Sequence, residues 1–97
     1  MSKVPKTVYK VRLSASAVHS IEHVLPRKVS DAALTFILGP LRENPRRVGK
    51  PLIGPYKNAF SARRGEYRIV YEIIDDEILI EITKIAHRAK AYYRSYK

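Results

Sequence analysis

The sequence has no cysteine. That removes disulfides and thiolate metal sites, and it suits a reducing, cytoplasmic setting. No apolar run approaches the roughly 18 residues a membrane-crossing helix needs. The segment Met1 to Lys10 carries charge with no apolar stretch behind it, so it does not read as a secretory signal. There is no glycine-rich phosphate loop, no zinc-ligand spacing and no Ser-His-Asp set. His19 and His23 stand four residues apart on one helix face and could hold a metal, but no third ligand is evident. The expectation is therefore no metal and no cofactor.

Acidic residues are scarce. Nine Asp and Glu face nineteen Lys and Arg, a net charge of +10. Such a surface attracts polyanions by neutralising phosphates and releasing their counterions. Nucleic acid or a ribonucleoprotein is the favoured partner; an acidic membrane or an acidic protein is the alternative. The charge is segregated. Arg42 to Tyr71 holds eight basic residues against Glu43 and Glu66, and Lys84 to Lys97 holds five with no acid. Five of the nine acids lie between Glu72 and Glu81. One face of the C-terminal half should be acidic and another basic.

What remains is ordinary globular material. The chain is 97 residues long and 45% hydrophobic, which makes a single domain over residues 1–97 with one modest core. Thr7 to Leu13 alternates, with Tyr9, Val11 and Leu13 on one face and Lys10 and Arg12 on the other, as in a half-buried strand. Ser14 can cap a helix carrying Ala17, Val18, Ile21, Val24 and Leu25. Pro26 ends it and opens a second helix with Val29, Ala33, Phe36 and Ile37, weakened at Gly39-Pro40 and running out near Asn44. Pro45 to Pro55 reads as a loop, because its prolines and glycines exclude a helix or a central strand.

Three strands follow: Lys57 to Arg63, Glu66 to Ile74, and Glu77 to Ile85, with turns at Arg64-Gly65 and Asp75-Asp76. In the second, Tyr67, Ile69, Tyr71 and Ile73 share one face, and Arg68, Val70 and Glu72 the other. In the third, Ile78, Ile80 and Ile82 oppose Leu79, Glu81 and Thr83. The expected fold is an α+β two-layer sandwich. An N-terminal strand and an α-helical hairpin precede a three-stranded antiparallel meander, which completes a four-stranded sheet before a basic C-terminal tail. The helices cover one sheet face and leave the other open.

The residues with chemistry fall into two clusters, Ser61 to Arg68 and His87 to Arg94. Arg68 points to the open face if Tyr67, Ile69 and Tyr71 face the helices. Arg63 ends the neighbouring strand, and His87 and Arg88 follow the last one. RNA can be cleaved without metal when its 2′-hydroxyl attacks the adjacent phosphate. That needs a base, an acid and cations for the phosphorane. His87, Arg63, Arg68, Arg88 and Tyr92 make a sufficient set: a titratable imidazole, guanidinium forks and a phenol. Arg46, Arg47, Lys50, Lys57, Arg64, Lys90 and Arg94 are the expected RNA-binding cations. The plainer alternative is a binding face with no catalysis.

The strings "RVGKPL.G" (Arg47 to Gly54), "FSARRGEYRIVYEI" (Phe60 to Ile73) and "HRAKAYYR" (His87 to Arg94), in the order strand, two helices, three strands, resemble the RelE branch of the RelE/ParE toxin superfamily. The resemblance runs from about Val8 to Arg94. It implies a ribosome-dependent endoribonuclease that cuts mRNA in the A site without metal. It also implies a cognate RelB-like antitoxin that neutralises the toxin, with promoter DNA reached only through the antitoxin and no membrane partner. Arg68 matches the arginine that contacts the scissile phosphate, Arg88 the arginine after the last strand, and Tyr92, or Tyr93, the late tyrosine. His87 matches the position before that arginine. Two lysines of the best-studied enzymes fall at about Ala59 and Ser61, and a loop arginine near Ile53. Either His87 takes over the proton work, or the activity is weak, or the target differs, as in ParE-type members that inhibit DNA gyrase.

Overall fold

The computed structural model describes residues 8–52 and 58–87. Strand β1 (Lys10–Leu13) enters helix α1 (Ala15–His19), which widens into a π-helical turn over Ser20–Val24. Ser14 caps α1 by accepting from the Ala17 amide at 3.1 Å, and its hydroxyl donates to the Thr83 carbonyl at 3.1 Å. Helix α2 (Arg27–Phe36) likewise ends in a π-helical turn, Ile37–Leu41, around Pro40. Proline lacks the amide that would continue the regular ladder. The buried Ser30 hydroxyl donates to the Ile21 carbonyl at 3.0 Å and ties the two helices together.

The segment expected as a loop contains structure. A single helical turn, α3 (Pro45–Val48), leads into a two-residue strand, β2 (Lys50–Pro51). Proline is tolerated at both places, at the first position of a helix and on a sheet edge, where its missing amide costs nothing. The meander follows as β3 (Ala59–Arg64), β4 (Tyr67–Ile74) and β5 (Leu79–His87). Gly65, at φ 59, supplies the positive dihedral for the two-residue turn between β3 and β4.

The sheet therefore has five strands, in the order β1-β5-β4-β3-β2, with β1 parallel to β5 and the other pairs antiparallel. The expected α+β sandwich holds, with β2 as its additional edge. The helix side of the sheet carries Ala62, Ile69, Tyr71, Ile73, Ile80, Ile82 and Ile85, packed against Ala17, Leu25, Ala33, Phe36, Ile37 and Leu41. Each fully buried isoleucine contributes roughly 1.5–3 kcal/mol of hydrophobic stabilisation. Tyr71, wholly buried, donates to the Pro45 carbonyl at 2.6 Å. Burial lifts its phenol to about 12, so it stays a protonated donor. Gly49 lies against that hydroxyl: a Cβ there would overlap Tyr71 Oη and sit 3.0 Å from the Ser61 carbonyl oxygen.

Strict alternation fails in β5. Val70 pairs with Lys84 while Tyr71 pairs with Ile82, so Thr83 is an extra residue that bulges from the strand. Its hydroxyl bonds the Val70 carbonyl at 3.2 Å. The bulge shifts the phase: Ile85 reaches the core, and Lys84 turns to the open face. Ile78 also departs from expectation. It precedes β5 in the left-handed region, φ 49 and ψ 52, and is 45% exposed rather than on the core face.

Candidate nucleic-acid interface

Cross-strand register assigns the open face residue by residue, because opposed residues in a ladder project to the same side. Three rows cross the sheet. The first is Arg12, Glu81, Glu72 and Ala59; the second is Lys84, Val70, Ser61 and Lys50; the third is Ala86, Arg68 and Arg63. Acidic and basic side chains thus share one face, segregated along the strands, rather than occupying separate faces as composition suggested. In the acidic row, Arg12 bonds Glu81 at 2.8 Å. The hydrogen bond to Glu81, with its negative charge, raises the Arg12 pKa further.

The two basic rows carry Lys50, Arg63, Arg68 and Lys84. Among the described residues none of these pairs with a carboxylate. Arg63 and Arg68 stand directly opposite each other. Arg68 Nε is buried with no hydrogen-bond partner among the described residues. Such an atom costs stability unless something else satisfies it. An open groove of about 460 Å³ runs beside them, lined by Val48, Lys50, Pro51, Leu52, Ser61, Arg63 and Arg68. Two guanidinium forks and an ammonium around a groove can grip a phosphate through its non-bridging oxygens.

Other expected site residues lie elsewhere. His87 pairs with Tyr67 on the helix side of the sheet, its ring edge-on to Tyr67 with centroids 5.6 Å apart. The structure therefore does not bring His87 together with Arg63 and Arg68, because it falls on the core-facing phase of β5. Arg64 also faces the helices, its guanidinium 4.9 Å from the centre of the Phe36 ring. Arg46 is engaged by Asp75, at 2.7 and 3.2 Å. Arg47 is exposed on α3. Arg88, Tyr92, Tyr93, Lys57, Lys90 and Arg94 lie outside the described residues, as does Ile53. Ala59 and Ser61 are on the open face, in the acidic row and the first basic row.

A cation of this face that strand alternation misses is Lys84. Alternation from Ile80 and Ile82 assigns it to the core. The signal was present in the apolar pattern, because Ile80, Ile82 and Ile85 share the core only if one residue is inserted. The His19 and His23 rings lie 5.3 Å apart, tilted by 38°, and no group of three potential metal ligands occurs among the described residues. No helix among them is long and apolar enough to cross a membrane.

Residues 11–92 match the family model described as the ParE toxin of type II toxin–antitoxin systems, parDE. The chain belongs to the RelE/ParE superfamily of type II toxin–antitoxin toxins. Within it, the chain falls on the RelE branch. It is 43% identical over 84 residues to Toxin RelE of Mycobacterium tuberculosis, covering 87% of this chain and 86% of that protein. Identity to Toxin RelG of the same organism is 41% over 86 residues, covering 89% and 98%. The crystal structure of the toxin–antitoxin complex RelBE2 from M. tuberculosis superposes with a TM-score of 0.80 at 40% identity, covering 86% of this chain and 94% of that one. The isolated Escherichia coli RelE toxin shares the fold, at a TM-score of 0.68 and 21% identity, covering 91% and 88%.

Proposed function

We propose that this toxin is a ribosome-dependent mRNA endoribonuclease, neutralised by a RelB-like antitoxin and acting in the cytoplasm. The observation that carries the reading is the opposed Arg63–Arg68 pair on the open sheet face, with a buried Arg68 Nε that awaits an acceptor. A scissile phosphate between the two forks would accept from their N–H groups on the open side. As the 2′-hydroxyl gives up its proton and attacks phosphorus, and the bond to the 5′-oxygen breaks with that oxygen taking a proton, charge builds on the non-bridging oxygens. Fixed guanidiniums aimed there stabilise the phosphorane more than the ground state, which is the condition for catalysis. Arg88 and Tyr92 complete the proposed set as a third cation and a phenol. The protein's own side chains supply the charge, and the reading requires no metal. The antitoxin fits as an acidic segment that covers the basic rows.

Primer extension on messages recovered after induction tests this. Cuts confined to translated codons are expected, and Arg68→Ala should abolish both cuts and growth arrest in a protein that still folds. Full toxicity of Arg68→Ala would overturn the site.

A second reading, a ParE-like toxin that inhibits DNA gyrase, has one observation in its favour: Ala59 and Ser61 leave β3 without lysines on the open face. It predicts intact messages and accumulating DNA breaks.

A further inference from the structure

The bulge at Thr83 has two effects that alternation alone would make incompatible. It lets Ile85 fill the core at 1% exposure, and it places the next cation, Lys84, on the open face. Without the inserted residue the same sequence would aim an ammonium into the layer of Ile69, Tyr71 and Ile82. Burying an unpaired charge there is prohibitive. Core packing alone could be met by an apolar or small residue at position 84. Packing does not require a lysine there: it stands diagonal to Arg68 on one side and to Glu72 on the other, and among the described residues it forms no ion pair with Glu72 or Glu81.

Lys84 lies directly across from Val70 and diagonally from Arg68, a separation of roughly 7–8 Å between side-chain roots. It lies on the β5 side of Arg68, whereas Arg63 and the groove lie on the β3 side. The acidic row of Glu72 and Glu81 bounds the basic rows toward the β4–β5 turn. A polyanion on this face is therefore repelled from one end and attracted along a line that crosses the strands. That line runs from Lys50 and Arg63, over Arg68, to Lys84.

We propose that Lys84 is a phosphate-contacting residue of the RNA site, so that the bound strand crosses the sheet from β2 to β5 and leaves over Lys84. The inference rests on reading the open face as an RNA site and adds a residue and a direction to it.

Titration of a fluorescent 2′-O-methyl single-stranded RNA, which cannot be cleaved, tests it across a salt series. Each neutralised phosphate contributes about 0.7 to the slope of log K against log salt on single strands. Lys84→Gln, which keeps the aliphatic stem, should make the slope shallower by about 0.7. Lys84→Arg should preserve it. Arg27→Ala, which removes an equal charge from α2 on the helix side, should leave it unchanged.

The proposal is overturned if Lys84→Gln binds as the parent does, if Arg27→Ala loses as much, or if the parent does not bind the oligonucleotide. Primer extension on translating ribosomes runs in parallel. Uncut messages together with a Lys84-dependent slope would remove the cleavage reading and support the contact.

Discussion

Arg63 and Arg68 face each other across β3 and β4, two guanidiniums at directly opposed positions of one ladder. Like charges so placed destabilise a sheet by some tenths of a kcal/mol, up to about 1. The pair stands where a phosphate is proposed to bind. Arg63→Gln keeps the stem and removes the repulsion, and it should raise the thermal midpoint by about 2–4 °C. Calorimetry without nucleic acid checks this. An unchanged or lower midpoint would show that the pair is not strained.

Gly49 and Tyr71 form a second close relationship, because the phenol occupies the space a side chain at 49 would need. Gly49→Ala should cost about 1–3 kcal/mol through overpacking. Tyr71→Phe should cost about 1–3 kcal/mol by leaving the buried Pro45 carbonyl unpaired. The two changes should not add, because losing the hydroxyl relieves the tightest of the contacts a Cβ at 49 would make. A denaturant-based double-mutant cycle should give a coupling of at least about 0.5 kcal/mol. Additive losses would contradict the geometry.

Ile78 holds a β-branched side chain at φ 49 while nearly half exposed. Little packing is lost on replacing it, and the left-handed conformation penalises an L side chain by about 1–2 kcal/mol. Ile78→Gly should therefore stabilise the protein by about 1 kcal/mol, read as a higher urea midpoint with an unchanged slope. Destabilisation would mean that the side chain packs more than its exposure implies.

Asp75 titrates below an ordinary aspartate, first because it accepts from Arg46 and then because of that residue's charge, with a smaller contribution from Tyr9. A lowered folded-state pKa means that the pairing stabilises the protein above the unfolded value, about 3.9, and is lost as pH falls through the folded value. Carboxyl NMR titration should place the Asp75 midpoint below that value, and Arg46→Ala should move it upward. A midpoint that ignores the substitution would exclude the ion pair as the cause.

Much of the fold is legible from short-range pattern. The alternation in β4 sets Ile69, Tyr71 and Ile73 against the helices and leaves Arg68 outside, as observed. Ser14 marks the first cap, and Pro40 marks the place where α2 loses its regular ladder. What escapes is set by partners distant in sequence. The Thr83 bulge exists only relative to Val70 and Tyr71, so reading β5 alone places Lys84 on the wrong face. The same phase places His87 beside Tyr67 and away from Arg68. Strand β2 is two residues long and is defined by its pairing with Phe60 and Ser61, which no local preference around Pro51 announces.

The parallel pairing of β1 with β5 has a consequence for how the molecule comes into being. Arg12 meets Glu81 across a sequence separation of 69 residues, and β5 is the strand that joins β1 to the rest of the sheet. During synthesis the helices emerge before Ile80, Ile82 and Ile85 exist to pack beneath them. Pairings this distant close slowly and last. A growing chain therefore cannot complete its cationic rows until β5 has been made. The surface proposed to act on translating ribosomes is complete only once β5 has left the ribosome that made it.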